Sequence, residues 1–175
     1  MNLSLIAISD DGGKSWLPGL PIVGRGNIQP SVVQKKNGDL LAFMRDNGDE
    51  PGRVMKSISI DNGYKWSTAQ PSSLPNPGTS VEAISLENGD WILVYNDVDD
   101  GRHSLAVSLS DDEGETWLWT RHLEQRDPGE GSFSYPSVIQ TKDGFIHVTY
   151  SFHTAENKTI KHVSFLADWV KAYEK

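Results

Sequence analysis

The sequence predicts an all-β protein built from β-propeller blades, and three observations carry that expectation. The octet Ser-x-Asp-x-Gly-x-x-Trp occurs at residues 9–16, 59–66 and 110–117. Its tryptophans, Trp16, Trp66 and Trp117, stand 66 − 16 = 50 and 117 − 66 = 51 residues apart, and a fixed period near fifty is a signature of repeat architectures such as propellers. The segments between octets are short alternating apolar runs separated by Asn-Gly and Asp-Gly turns, the pattern of consecutive antiparallel hairpins. Finally, the unit starts align without gaps on Gly38, Gly89 and Gly144.

Taken in order, residues 3–9 alternate as a strand and lead straight into the first octet, so the chain opens part-way through a repeat. The first full unit has strands at 29–34, 40–45 and 53–59, then the second octet, with a fourth strand expected after Trp66. Residues 70–80, rich in Pro and Gly, read as a connection. The second unit repeats the scheme with strands at 80–85, 91–96, 102–108 and 119–124. A third has strands at 135–140, 145–151 and 159–165 and no octet; instead residues 166–175 have helical spacing, with Leu166, Trp169, Val170 and Tyr173 on one side. Each octet is a turn with a plug. Asp and Gly suit the reversal, Ser and Asp bond local backbone, and Trp fixes the turn on the outer part of its blade. Residues 1–175 therefore form a single partial propeller of about three to three and a half four-stranded antiparallel blades with a short C-terminal helix. A closed ring needs at least four blades. Either the chain is part of a longer protein and associates with a missing N-terminal half, or two copies close a ring as a homodimer.

Bulk properties narrow the partners. A net charge of −8 over 175 residues argues against a nucleic-acid footprint, which needs clustered Lys and Arg. No stretch approaches a membrane span, and the N-terminus has no basic region or small-residue cleavage site, which leaves a cytoplasmic location by default. With no cysteine there is neither disulfide nor thiolate metal site. The five histidines lack ligand spacing, and His147 and His162, in apolar strands, read as core histidines. Asp97, Asp99 and Asp100 lack the downstream Glu of a calcium loop. No metal or cofactor is expected.

In a propeller, equivalent positions of the inner strands converge on one channel mouth. Nine residues before the turn glycines stand Gln29, Ser80 and Tyr135; seven after them stand Arg45, Asn96 and Ser151. Different polar residues at equivalent positions are what a site on a repeat scaffold looks like, and also what chance divergence of repeats gives.

The octet is the Asp box, and with it the chain resembles sialidases (neuraminidases) and their BNR-repeat relatives. That resemblance implies the later half of a six-bladed propeller whose members hold a sialic acid carboxylate with three arginines, use a Tyr nucleophile paired with a Glu, and use an Asp as acid/base. Residues 29–45 match the segment that carries the second arginine, placing it on Arg45 and putting Gln29 where the Glu stands. Residues 102–117 place a further arginine on Arg102, and residues 133–150 place the nucleophile on Tyr135. The first arginine motif and the acid/base Asp have no counterpart here.

The chemistry agrees with the residues. Arg grips a carboxylate bidentately and stays charged, and a phenol nucleophile avoids repulsion by the substrate carboxylate, an exception to the two-carboxylate rule of glycosidases. The phenol needs a base. Gln29 cannot accept its proton, whereas Glu82, two residues past the equivalent position in the next unit, is a substitute or a plain surface carboxylate. Arg45 and Arg102 have a second reading as solvated strand ends paired with Asp46 and Asp100; Arg53 competes for the role of Arg102; Tyr135 has one as an aromatic packed by Pro136. The two functional readings are a sialidase-type glycoside hydrolase acting on acidic sugars, with catalytic Tyr135 and Glu82 and substrate-binding Arg45, Arg102, Gln29 and Asn96, and a non-catalytic propeller module that binds a glycan or a protein.

Overall fold

Four antiparallel sheets follow one another along residues 3–172, the part of the chain that the computed structural model describes. A two-stranded piece, β1 (Ala7–Ile8) with β2 (Leu17–Pro18), comes first. A four-stranded sheet follows in sequential order: β3 (Asn27–Gln34), β4 (Leu40–Asp46), β5 (Arg53–Ser59) and β6 (Gln70–Pro75). The next has the same order: β7 (Glu82–Ser85), β8 (Trp91–Tyr95), β9 (Ser104–Ser110) and β10 (Trp119–Gln125). The last has three strands, β11 (Ser132–Gln140), β12 (Ile146–His153) and β13 (Lys158–Phe165), before the helix α1 (Ala167–Lys171). The all-β propeller architecture stands.

Burial explains the strand sequences. β8 is buried at all five residues, because each of its faces meets another sheet. Trp91, Leu93 and Tyr95 pack with Phe43 and Val54 of the preceding sheet, whereas Ile92 and Val94 pack with Val138, Ile146 and Val148 of the following one. A strand covered on both sides reads as a continuous apolar run. β12 alternates instead: Ile146, Val148 and Tyr150 are buried, and the residues between them are not. His147 and His162, expected in a core, lie on this uncovered face, their ring nitrogens 3.0 Å apart.

The inner strands β3, β7 and β11 are neighbours in space. Ser31 joins the first two, its Oγ accepting the Ala83 N–H at 2.9 Å and donating to the Ala83 carbonyl at 3.3 Å. Gln140, at the end of β11, reaches the turn after β7 by accepting the Glu87 N–H at 2.9 Å.

The Asp boxes do more than fasten an outer turn. In the third, Ser110 Oγ donates to Asp112 (2.7 Å) and accepts the Gly114 N–H (2.8 Å), while Asp112 accepts the Thr116 N–H (2.8 Å). This closed loop presses on the neighbouring blade. A Cβ on Gly114, where φ is +80°, would come within 3.0 Å of Phe43 and 3.2 Å of Trp91, so glycine is needed for both conformation and space. Trp117 packs edge-on against Phe43 of the preceding sheet, centroids 5.7 Å apart, and Trp66 packs with Ile6 and Ile22 of the segment before its own sheet. Trp16 has no preceding sheet among the described residues and is 61% exposed. In the first box the Ser15 N–H and hydroxyl, then Ser9, lower the Asp11 pKa to about 2.

Three further expectations need correction. Residues 3–9 pair only at Ala7–Ile8, with an isolated bridge from Ser4 to Ile22. The supposed connection at 70–80 contains β6, the fourth strand; its Pro71 and Pro75 are tolerated because the strand is a sheet edge. The helix spans only five residues, with Val170 buried and Leu166 exposed as its N-cap; Tyr173 lies outside the described residues.

Candidate functional site

Gln29 and Tyr135 share a rare backbone state that their sequence equivalence alone did not announce. Both are left-handed, with φ of 54° and 55°, and both sit where the pairing of an inner strand to its neighbour slips, between Ile28 and Ser31 and between Ser134 and Ser137. Such bulges re-aim a side chain out of the ladder, and a non-glycine residue held there stores on the order of 1–3 kcal/mol. The sequence signal is the proline that follows each, Pro30 and Pro136, since a residue without an N–H belongs at a strand edge or bulge. Ser80, the third equivalent, is followed by Val81 and has no such conformation.

The three positions meet in one cavity of about 550 Å³, lined by Gln29, Ser80, Glu82, Tyr135 and the backbone around them. Tyr135 is half exposed there. The Ser80 hydroxyl is buried without a hydrogen-bond partner. Glu82 is the sole carboxylate among the lining residues. Burial pushes its carboxyl up, opposed by a hydrogen bond from the Val138 N–H. A carboxyl raised by folding favours the native state below its unfolded pKa, and that contribution is lost as pH rises through the folded value. Glu82→Gln is accordingly expected to raise Tm at about pH 7 and leave it unchanged at about pH 3; equal shifts at both would remove this account of Glu82.

Arg45 and Arg102 flank the cavity through its lining residues. Arg45, opposite Ile28 in the β3–β4 ladder, points Nη1 at Gln29 Oε1 (3.5 Å) and Nη2 at Asn47 Oδ1 (3.4 Å), and its Nε is buried with no acceptor. Arg102 sits over the Tyr135 ring, 5.5 Å from the centroid, and reaches Ser134 Oγ at 3.4 Å. Neither forms an ion pair among the described residues. Asp46 does not pair with Arg45, because its buried carboxylate is taken by Arg25 (2.7 Å) and the N–H groups of Gly48 and Arg53. Arg53, the competitor of Arg102, is paired with Asp99 at 2.8 Å. Two guanidinium groups with neutral partners thus stand beside the lining residues Gln29 and Tyr135, in a chain of net charge −8.

Asn96 stands apart. It is fully buried, and its amide donates to the carbonyls of Ser104 and Phe133, so it ties the start of β11 to β9 rather than facing a ligand. Asp97 likewise accepts from Ser104 and His122. Ser134, which helps to seat Arg102, was invisible in the sequence because its role depends on the bulge beside it.

The fold is similar to several solved structures. The intramolecular trans-sialidase of Ruminococcus gnavus superposes with a TM-score of 0.77 at 18% identity, over 96% of this chain and 39% of that one. The NanB sialidase of Streptococcus pneumoniae gives 0.77 at 18%, over 95% and 28%, and a protein of unknown function from Dyadobacter fermentans gives 0.73 at 21%, over 90% and 44%. The chain thus spans less than half the length of each. With boxes, blades and inner-strand cavity in this arrangement, and with the family model of the BNR repeat-like domain matching residues 3–148, the chain belongs to the BNR repeat-like family, in a sialidase-like propeller fold.

Proposed function

We propose that this chain is the carboxylate-gripping half of a sialidase-like propeller: it binds an acidic sugar and does not turn it over unaided. The observation that carries this reading is the pair of arginines, Arg45 and Arg102, that flank the cavity with no carboxylate partner among the described residues. A guanidinium fork matches a sugar carboxylate in geometry and charge. The sugar ring would then lie over Gln29, Ser80 and Tyr135. Turnover is withheld because Gln29 is an amide and cannot take the proton of the Tyr135 phenol, and because the described lining residues offer no second acid for the leaving oxygen.

One observation favours a second, hydrolytic reading. Glu82 shares the cavity with Tyr135, and its carboxyl is already raised toward the range useful to a base. In that reading Glu82 takes the phenol proton as the phenolate oxygen bonds to the anomeric carbon. The aglycone departs with the bonding electron pair and receives a proton from an acid supplied by another polypeptide segment. The experiment that separates the two is release of a fluorogenic aglycone from a sialoside by the purified chain beside Tyr135→Phe and Glu82→Gln. No turnover above the Tyr135→Phe background is expected; turnover lost in both variants would establish the hydrolytic reading instead.

A further inference from the structure

Beside the two arginines, the inner-strand cavity holds one charge of the opposite sign that the described residues leave unanswered. Of the side chains lining it, only Glu82 and Tyr135 titrate, and none is Lys, Arg or His. Glu82 opens β7 opposite Val94, is partly buried, and forms no ion pair among the described residues. It is held by a hydrogen bond from the Val138 N–H, and burial pushes its carboxyl up, as expected of a desolvated carboxylate without a counterion. Two residues before it stands Ser80. Both line the cavity, rooted within about 7 Å of each other along the chain, and the Ser80 hydroxyl is buried with no hydrogen-bond partner.

The arginines lack an anion and Glu82 lacks a cation. Arg45 reaches the cavity through Gln29, and Arg102 through Tyr135. Charges of both signs left open around one cavity are complementary to a ligand that carries both. We infer that the acidic sugar bound here carries a free amine besides its carboxylate: the carboxylate meets Arg45 and Arg102, and the ammonium meets Glu82 and Ser80. The inference rests on the acidic-sugar reading and narrows it to a zwitterion. An ammonium has three donors and no acceptor, which suits the Glu82 carboxylate, in a charge-assisted bond, together with the Ser80 oxygen. A hydroxyl in its place would donate one bond and leave the carboxylate charge uncompensated. Acylation of the amine would remove the charge and two of its three donors, and would add bulk beside Glu82. The volume, about 550 Å³, is that of a small-molecule site.

The test is calorimetric titration of the purified chain, at about pH 7 where a sugar amine is largely charged, with two methyl glycosides: that of neuraminic acid, whose amine is free, and that of N-acetylneuraminic acid. The free amine is expected to bind about tenfold more tightly. In Glu82→Gln that preference should disappear while affinity for the N-acetyl glycoside changes by less than about twofold, with circular dichroism as the control for folding. Ser80→Ala should weaken binding of the free amine severalfold. Equal binding of the two glycosides by the unaltered chain, or tighter binding of the N-acetyl form, would overturn the inference and leave the acidic-sugar reading standing. A preference that survives in Glu82→Gln would overturn it too, since the ammonium would then lie elsewhere. Binding of neither glycoside would remove the acidic-sugar reading and the inference with it.

Discussion

Replacing Arg45 or Arg102 by Met, which keeps the apolar stem and removes the fork, is expected to weaken binding of N-acetylneuraminic acid by about ten- to a hundredfold, and replacing both is expected to abolish it. Truncating one member of a charged hydrogen-bonded pair costs about 2–5 kcal/mol when it is desolvated, and each 1.4 kcal/mol is tenfold; partial exposure of this mouth puts the expectation at the lower end. The chain should remain folded. Arg45 and Arg102 make no ion pair among the described residues, and their polar contacts are long, at 3.4–3.5 Å. Calorimetric titration of the variants, with circular dichroism as the control for folding, checks this. Arg53→Met is the internal contrast: its guanidinium is engaged by Asp99, so affinity for the sugar should not change.

The largest effect on stability is expected at Trp91. Its side chain is 1% exposed and meets Phe43 edge-on at 6.3 Å, and the third Asp box closes over both through Gly114. Trp91→Ala should destabilise by about 3–5 kcal/mol, a large part of the 5–15 kcal/mol that a domain has in all. The loss should not stay local, since Trp91 belongs to the cluster that joins the first and second four-stranded sheets. Urea unfolding should show the midpoint falling for probes in both sheets; a shift confined to the second would mean that the blades do not fold as one unit. Trp16→Ala, in the first box, should change stability little, because that ring is already exposed.

The blades were legible because two simple signals agree: period-two alternation in the strands and Gly-centred turns between them. Where covering differs from blade to blade, the sequence carried that as well. The continuous apolar run of β8 and the strict alternation of β12 distinguish a sheet covered on both faces from one covered on one. What escaped depends on context. β6 was hidden by Pro71 and Pro75, because nothing local reveals that a strand will be an edge and so tolerate proline. Positional equivalence grouped Asn96 with Arg45, yet equivalence fixes where a residue sits and not which way its side chain turns: Asn96 turns inward to two carbonyls, while Arg45 reaches back to Gln29. The left-handed bulges at Gln29 and Tyr135 were signalled only by the prolines after them. That neither arginine meets a carboxylate among the described residues was beyond sequence reasoning, because Asp46 lies next to Arg45 in the chain and pairs with Arg25 across a loop.

The most direct measurement of the central claim is a pair of calorimetric titrations of the unaltered chain, one with N-acetylneuraminic acid and one with its methyl ester. The two ligands differ by one methyl group, which removes the charge that Arg45 and Arg102 are held to grip. Binding of the acid in the millimolar range or tighter, at least tenfold weaker for the ester and weakened by added salt, is the predicted result. Equal binding of acid and ester, or no binding of the acid, would contradict it.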